Sequence, residues 1–143
     1  MATNKKPSKK KSTTKQPARA SAAPAAPEAS LLGIPLSEYA GRRACVLGAL
    51  KDALGLVFAG DMDASIHGEF RAHPHFQYLT GIVDEPGAVL LLDPLNPVEA
   101  RRAILFLKPL NPELEKWDGF REEISSKLKA QYGVGTIMRT TAF

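Results

Sequence analysis

The stretch from His67 to Asp93 constrains the fold most, because it holds two short apolar runs joined by a turn-rich connector. The runs are Phe76–Thr80 and Ala88–Leu92, and Gly81–Gly87 between them contains a proline and two acidic residues. Continuous apolar runs of this length, bounded by glycine and proline, are typical of buried strands. We therefore predict that both runs, including Tyr78–Gly81, lie in one sheet that is covered on both faces.

An amphipathic helix is predicted ahead of these runs, from Ser37 as its N-cap to Gly55 as its C-cap. Apolar residues recur at helical spacing on one side and charged residues fall on the other, so one stripe is expected to pack on the sheet. The apolar stripe consists of Val46, Leu47, Leu50, Ala53 and Leu54. The side expected to face solvent consists of Arg42, Arg43, Lys51 and Asp52.

Further strands and helices complete the prediction of one small mixed α/β domain. The additional strands are Leu56–Ala59, Ala103–Leu107 and Thr136–Met138, the second of them forming a hairpin with Ala88–Leu92. The additional helices are a short one over Glu113–Lys116, opened by Asn111 and Pro112, and a longer one over Phe120–Tyr132, with Ile124 and Leu128 buried and Gly133 ending it.

The positive charge of the chain is concentrated at its N-terminus. Residues 1–30 carry seven Lys/Arg and one acidic residue, whereas the rest of the chain carries 12 Lys/Arg and 14 Asp/Glu. A segment so rich in Lys, Pro and Ala buries too little apolar surface to offset the entropy of ordering, so we predict a disordered tail over residues 1–30. This tail is either a solvated extension or the site of a weak, salt-sensitive polyanion contact, and a nucleic-acid-binding function would rest on it alone.

The single cysteine, Cys45, excludes an internal disulfide and a multi-cysteine metal cluster. Its apolar helical surroundings predict an inert buried thiol. No apolar run approaches the ~18 residues of a membrane helix, and the basic start lacks the apolar region of a secretory signal. We therefore expect a reducing compartment, the cytoplasm.

Three histidines, His67, His73 and His75, are the candidate metal ligands. In an extended segment His73 and His75 point the same way, and three acidic residues lie nearby. The favoured alternative is a polar loop whose imidazoles orient backbone or donate to a ligand, because neither HExxH nor CxxC occurs. Nucleophile-elbow and phosphate-binding glycine motifs are absent as well, so no self-sufficient active site is predicted in this chain.

The only tryptophan, Trp117, stands in the segment E-K-W-D-G-F-R, two residues before a glycine and close to Arg121. A lone tryptophan is usually part of a core. A tryptophan at a helix junction beside charged residues can instead wall a pocket or an interface. The residues leave these two interpretations equal.

Two sequence segments carry a resemblance to a known family. They are F-R-A-H-P-H-F-Q-Y-L-T-G-I-V-D-E-P-G-A-V-L-L-L over Phe70–Leu92 and I-L-F-L-K-P-L-N-P-E-L-E-K-W-D-G-F-R over Ile104–Arg121. Over about residues 37–143 the chain resembles the N-terminal domain of aminopeptidase P, the Xaa-Pro aminopeptidases of the creatinase and prolidase superfamily. Departures are Gly68 in place of an aromatic residue, and the unusual polar stretch Ala72–His75. They affect the contacts of that loop rather than the fold.

The resemblance implies a mixed sheet flanked by helices, followed in relatives by a larger catalytic domain. That domain holds two manganese ions on two Asp, one His and two Glu, and the ions activate a water for attack on the peptide bond before proline. None of these ligands is in this chain, so we expect it to be inactive alone. The resemblance also implies a dimer or tetramer in which the position of Trp117 reaches a neighbouring subunit's cleft, and we assign Trp117, Arg121, Arg71, His73 and His75 to the substrate cleft or interface.

The leading hypothesis is therefore the non-catalytic N-terminal domain of a manganese-dependent Xaa-Pro aminopeptidase. Its partners would be its own catalytic domain, further copies of itself and peptides with proline at the second position. The alternative is a stand-alone protein-interaction module of the same fold.

Overall fold

The computed structural model describes Met1 and residues 30–61, 70–110 and 122–143. Two-residue strands β1 (Ser30–Leu31) and β2 (Ile34–Pro35) form a small antiparallel pair ahead of helix α1 (Leu36–Leu50). The domain then comprises β3 (Gly55–Phe58), α2 (Pro74–Thr80), β4 (Val89–Leu92), β5 (Ala103–Leu107), α3 (Ser126–Tyr132) and β6 (Thr136–Arg139). Glu99–Arg101 and Thr140–Ala142 are single 3₁₀ turns.

The main sheet has the strand order β3-β4-β5-β6. The pairs β3–β4 and β4–β5 are antiparallel, whereas β5 and β6 are parallel. A parallel pair needs a crossover connection, and the chain between β5 and β6 contains α3. The predicted fold class, a mixed sheet flanked by helices, is confirmed, as are the strands at β3 to β6 and the β4–β5 hairpin.

The two faces of the sheet have different environments. On one face the register aligns Val57, Leu90, Leu105 and Ile137 across all four strands, and this row packs into the main core. The helices contribute buried side chains to that core, namely Phe76 and Leu79 from α2 and Leu128 and Tyr132 from α3. On the other face Val89, Ile104 and Phe106 form a smaller buried cluster with Leu91 and Met138. Burial on both faces is therefore confirmed for β4 and β5, but the β3 side chains Leu56 and Phe58 on this second face are exposed.

The prediction of a strand at Phe76–Thr80 is wrong, because this segment is helix α2 and Tyr78–Gly81 lies outside the sheet. Pro74 occupies the first helical turn, where its fixed φ suits a helix and its missing N–H is no loss. Gly81 closes the helix in the left-handed conformation, and its N–H donates to the Gln77 carbonyl at 2.8 Å. Phe76, Leu79 and Thr80 are buried at helical spacing, which a seven-residue element shows too briefly for sequence periodicity to reveal.

Several expectations for α1 are corrected. The helix ends at Leu50 rather than at Gly55. Gly55 instead begins β3, and a Cβ added to it would lie 2.9 Å from Leu50 Cδ1. Pro35 rather than Ser37 occupies the N-cap position, without a side-chain cap. Arg43, expected on the solvent side, is buried, whereas Leu54 and Cys45, expected in the core, are exposed.

Helix α3 is shorter than the predicted Phe120–Tyr132. The Ser125 hydroxyl accepts a hydrogen bond from the Leu128 N–H at 3.2 Å, so the helix begins there, and Gly133 ends it as predicted. Leu128 is buried, but Ile124 precedes the helix and is exposed. The predicted helix over Glu113–Lys116 and all of the predicted tail except Met1 and Ser30 lie outside the described residues. Within the described ranges, no helix has the length and hydropathy needed to cross a bilayer.

Candidate functional site

A groove runs between the outer edge of β3 and helix α2. Its volume is about 630 Å³. Its lining includes Leu56, Val57, Phe58, His73, His75 and Tyr78, and we refer to it as the β3–α2 groove. Phe58 and Tyr78 are 56% and 57% exposed, and Leu56 is 46% exposed. Three large apolar or aromatic side chains that line this groove thus remain largely in solvent, a pattern typical of contact surfaces.

His73 organises one end of this groove. Its backbone N–H donates to the Ala59 carbonyl at 2.8 Å, which ties the start of α2 to the end of β3. Its Nδ1 accepts a hydrogen bond from the His75 N–H at 3.3 Å, and the two imidazole ring centroids are 5.1 Å apart. The Nδ1 of His73 therefore serves as a helix cap, which is the backbone-orienting role expected of a polar loop.

Metal binding by the histidines finds no support in the described part of the chain. Among the described residues no three His, Cys, Asp or Glu side chains are grouped as metal ligands. His67 lies outside the described residues. Asp61, one of the nearby acids, forms an ion pair with Lys108 at 2.6 Å instead. The described residues therefore do not fit the two-manganese site, which the resemblance places in a following catalytic domain.

Arg42 fixes the aromatic side of the groove. Its guanidinium carbon lies 4.4 Å from the centroid of the Tyr78 ring, and its Nη1 donates to the Tyr78 carbonyl at 3.0 Å. Its Nε pairs with Glu38 one helical turn earlier at 3.1 Å. A cation held over a ring face is attracted by the ring quadrupole, and this contact favours the observed position of the exposed Tyr78 ring.

Arg43 links three helices from a buried position. It is 5% exposed, and its guanidinium donates to the Leu79 carbonyl at 2.9 Å and to the Gly133 carbonyl at 2.6 Å. These carbonyls lie at the ends of α2 and α3, where backbone acceptors lack intrahelical partners and the helix dipole attracts a cation. Burial lowers the pKa of Arg43 from its ordinary value. The side chain therefore holds the groove-forming helix against α1 and α3.

Tyr132 links α3 to the connector before β4. Its hydroxyl donates to Glu85 Oε1 at 3.0 Å. Burial is the main cause that raises the pKa of Tyr132, followed by the negative charge and hydrogen bond of Glu85 and the charges of Asp84 and Glu122. Glu85 thus has a structural contact.

Replacing Tyr132 with phenylalanine is expected to lower the free energy of unfolding by about 1–2 kcal/mol at pH 7, because a hydrogen bond to a charged acceptor is lost. The raised pKa of folded Tyr132 stabilises the fold below the pKa of the unfolded chain, and this term is lost as pH rises above about 10. The difference between parent and variant, measured by urea denaturation, should therefore shrink above pH 10. Tyr78→Phe, at an exposed tyrosine, is the control, and an equal loss there would contradict the assignment.

The structure brings together only some of the predicted site residues. His73 and His75 lie in the groove, whereas Arg71 is exposed on the loop before α2 and outside the groove lining. Trp117 and Arg121 lie outside the described residues, so their roles stay predictions. Sequence reasoning missed Phe58 and Tyr78 as groove residues. Pro74 and Gly81 could have indicated that Tyr78 lies on a helix, but not that this helix packs beside β3.

Comparison with known proteins gives a consistent result. Residues 39–143 match the family model described as Aminopeptidase P, N-terminal domain. A curated Xaa-Pro aminopeptidase of Haemophilus influenzae is 33% identical over 92 residues, which cover 62% of this chain and 21% of that protein. Pseudomonas aeruginosa aminopeptidase PepP has a TM-score of 0.59 at 32% identity, over 73% of this chain and 24% of that chain. Escherichia coli aminopeptidase P with the inhibitor Pro-Leu gives a TM-score of 0.60 at 24% identity, over 76% of this chain and 25% of that chain, a likeness of fold alone.

These findings define a mixed α+β domain whose described residues form a framework with an exposed groove. Since the family model covers most of the chain, this protein belongs to the aminopeptidase P N-terminal domain family. The assignment rests on these matches and not on the strand expected at Tyr78–Gly81, which is absent from the described structure. The chain spans 21% of the curated relative and 24% of the Pseudomonas structure.

Proposed function

We propose that this chain is the non-catalytic N-terminal domain of a manganese-dependent Xaa-Pro aminopeptidase. The observation that carries the proposal is the family match over residues 39–143, combined with relatives that are several times longer. The Haemophilus relative is named for action on Xaa-Pro peptides, so peptides with proline at the second position are the proposed substrate class.

The proposed role of the domain is to frame the substrate cleft and build a dimer or tetramer. The described residues contain no grouped metal ligands, so the two manganese ions are proposed to be held by the catalytic domain, and no chemical step is assigned to this chain. Exposed Arg71, His73 and His75 before and within α2 support a contact role, since loops on a rigid framework commonly carry binding residues. A cytoplasmic location remains part of the same proposal.

The purified 143-residue chain is expected to release no N-terminal residue from an Xaa-Pro peptide in the presence of added manganese. The reason is that metal-assisted hydrolysis needs a fixed ligand set, which the described residues do not supply. Release of the first amino acid is followed by chromatography, with a full-length Xaa-Pro aminopeptidase as the positive control. Release above the blank that a chelator abolishes would contradict the non-catalytic assignment.

A second candidate function is a stand-alone interaction module of the same fold. It is favoured by one observation, the exposed apolar edge of β3 beside the β3–α2 groove. Sequencing the DNA beyond the codon for Phe143 separates the two. An in-frame domain with metal ligands supports the enzyme, whereas a stop codon supports the module.

A further inference from the structure

Among the described residues, the outer edge of β3 has no strand paired to it. Within the described residues β3 is the terminal strand of the sheet and pairs only with β4. The Ala59 N–H donates to the Ala88 carbonyl on the β4 side at 2.9 Å. Because alternate residues of an antiparallel strand direct their N–H and C=O groups to opposite sides, those of Leu56 and Phe58 face away from β4.

This edge lacks the features that usually protect a terminal strand. The sequence of β3 is Gly-Leu-Val-Phe, without a charge or a proline that would discourage pairing. Its Leu56 and Phe58 side chains are about half exposed. An unprotected apolar edge is a template for an added strand, the arrangement by which several domains bind extended peptides.

The hydrogen-bond donors in the groove and the charged residues near it indicate what kind of segment fits. Two imidazoles line it, and among its described lining residues none is acidic. Arg71 is exposed two residues before His73. The nearby acid Asp61 is in an ion pair with Lys108, so its charge is partly compensated. Carboxylates would therefore be favoured where the groove meets His73 and His75, at the Ala59 end of β3.

We propose that the β3–α2 groove binds an extended, acidic segment of another protein, which adds a strand to the outer edge of β3. Apolar side chains at alternate positions of that segment pack on Phe58 and Leu56, and its carboxylate accepts hydrogen bonds from His73 or His75. This inference goes beyond the proposed peptidase role, because it concerns a segment that is bound and not cleaved.

The probe is the pentapeptide acetyl-Glu-Val-Thr-Val-Glu-amide, which has a blocked N-terminus and no proline. Titration into the isotope-labelled 143-residue chain is followed by amide chemical shifts. The expected result is saturable binding with a dissociation constant below about 1 mM, with the largest shifts at Leu56–Ala59 and His75. In antiparallel pairing, the valines opposite Leu56 and Phe58 direct their N–H groups to β3. A peptide with N-methylvaline at both positions keeps the side chains but lacks these donors, so it is expected to bind at least about tenfold more weakly.

Matched variants locate the site. Phe58→Glu is expected to weaken the binding at least about tenfold, whereas Leu95→Glu, at a leucine that is 67% exposed in another loop, leaves it unchanged within about twofold. His75→Glu is expected to weaken the glutamate peptide and to strengthen the corresponding lysine peptide, which tests the charge preference separately from the pairing.

Three results would overturn the proposal. The first is the absence of shifts at about 2 mM peptide, and the second is a set of shifts away from β3 and α2. The third is a dimer in sedimentation that Phe58→Glu dissociates, because the edge would then bind a second copy of this chain. Equal binding of the glutamate and lysine peptides to the parent chain would overturn the acidic preference.

Discussion

Replacement of Arg43 by leucine is expected to lower the free energy of unfolding by about 2–4 kcal/mol, because two backbone carbonyls lose their donor. Those carbonyls belong to Leu79 and Gly133, and the guanidinium that binds them is 5% exposed. Leucine restores part of the buried apolar volume but supplies no hydrogen bond. The measurement is urea denaturation followed by circular dichroism at pH 7.

Two further variants test whether the loss comes from the buried hydrogen bonds of Arg43. In Arg43→Lys an ammonium group replaces the planar fork and is expected to reach one carbonyl, so the loss should be about half as large. Arg102 is the matched control, since its Nε also donates to a backbone carbonyl, that of Asn96 at 3.1 Å, but on the exposed surface. Arg102→Leu should cost less than about 1 kcal/mol. An Arg43→Leu loss no larger than this control would show that water replaces the guanidinium.

The strands of the main sheet were predictable because each is a local apolar run with its own boundaries. Ala103–Leu107 was predicted at its observed limits. The runs at β4 and β6 differed from the observed strands by one residue at one end, and the run at β3 was shifted by one residue. Burial on both faces of β4 and β5 explains why their runs are continuous rather than alternating.

The errors arise where a residue's environment depends on distant parts of the chain. Arg43 looks like a solvent-facing cation beside Arg42, but its acceptors lie 36 and 90 residues further along. Cys45 was placed in the core from its neighbours, although the face of α1 that packs on the domain leaves it exposed. The β3–α2 groove could not be predicted for the same reason, because Phe58 and Tyr78 line one groove only when α2 packs beside β3.

The wrong prediction of a strand at Phe76–Thr80 could have been avoided from the sequence itself. Pro74 and Gly81 flank the apolar run Phe76–Thr80 and are the ordinary start and stop signals of a helix. Seven residues form only two helical turns, which is too short for a helical period to be recognised. The continuous apolar run therefore favoured a strand. The Thr80–Gly81 pair of the family pattern therefore ends a helix here and not a strand.

Gly81→Ala is expected to lower the free energy of unfolding by about 2–4 kcal/mol, for two separable reasons. Gly81 has a φ of +74°, a conformation that costs alanine about 1 kcal/mol or more. A Cβ at this position would also lie 2.6 Å from Cζ of Tyr39, a residue that is 1% exposed and cannot move aside freely.

Gly33→Ala is a matched control, since Gly33 has a φ of +73° and no atom within 4 Å of such a Cβ. Its measured loss gives the backbone part alone, and Tyr39→Leu combined with Gly81→Ala should recover about 1–2 kcal/mol of the expected additive loss. Equal losses for the two glycine variants would mean that the Tyr39 contact yields, and that the left-handed end of α2 alone requires glycine.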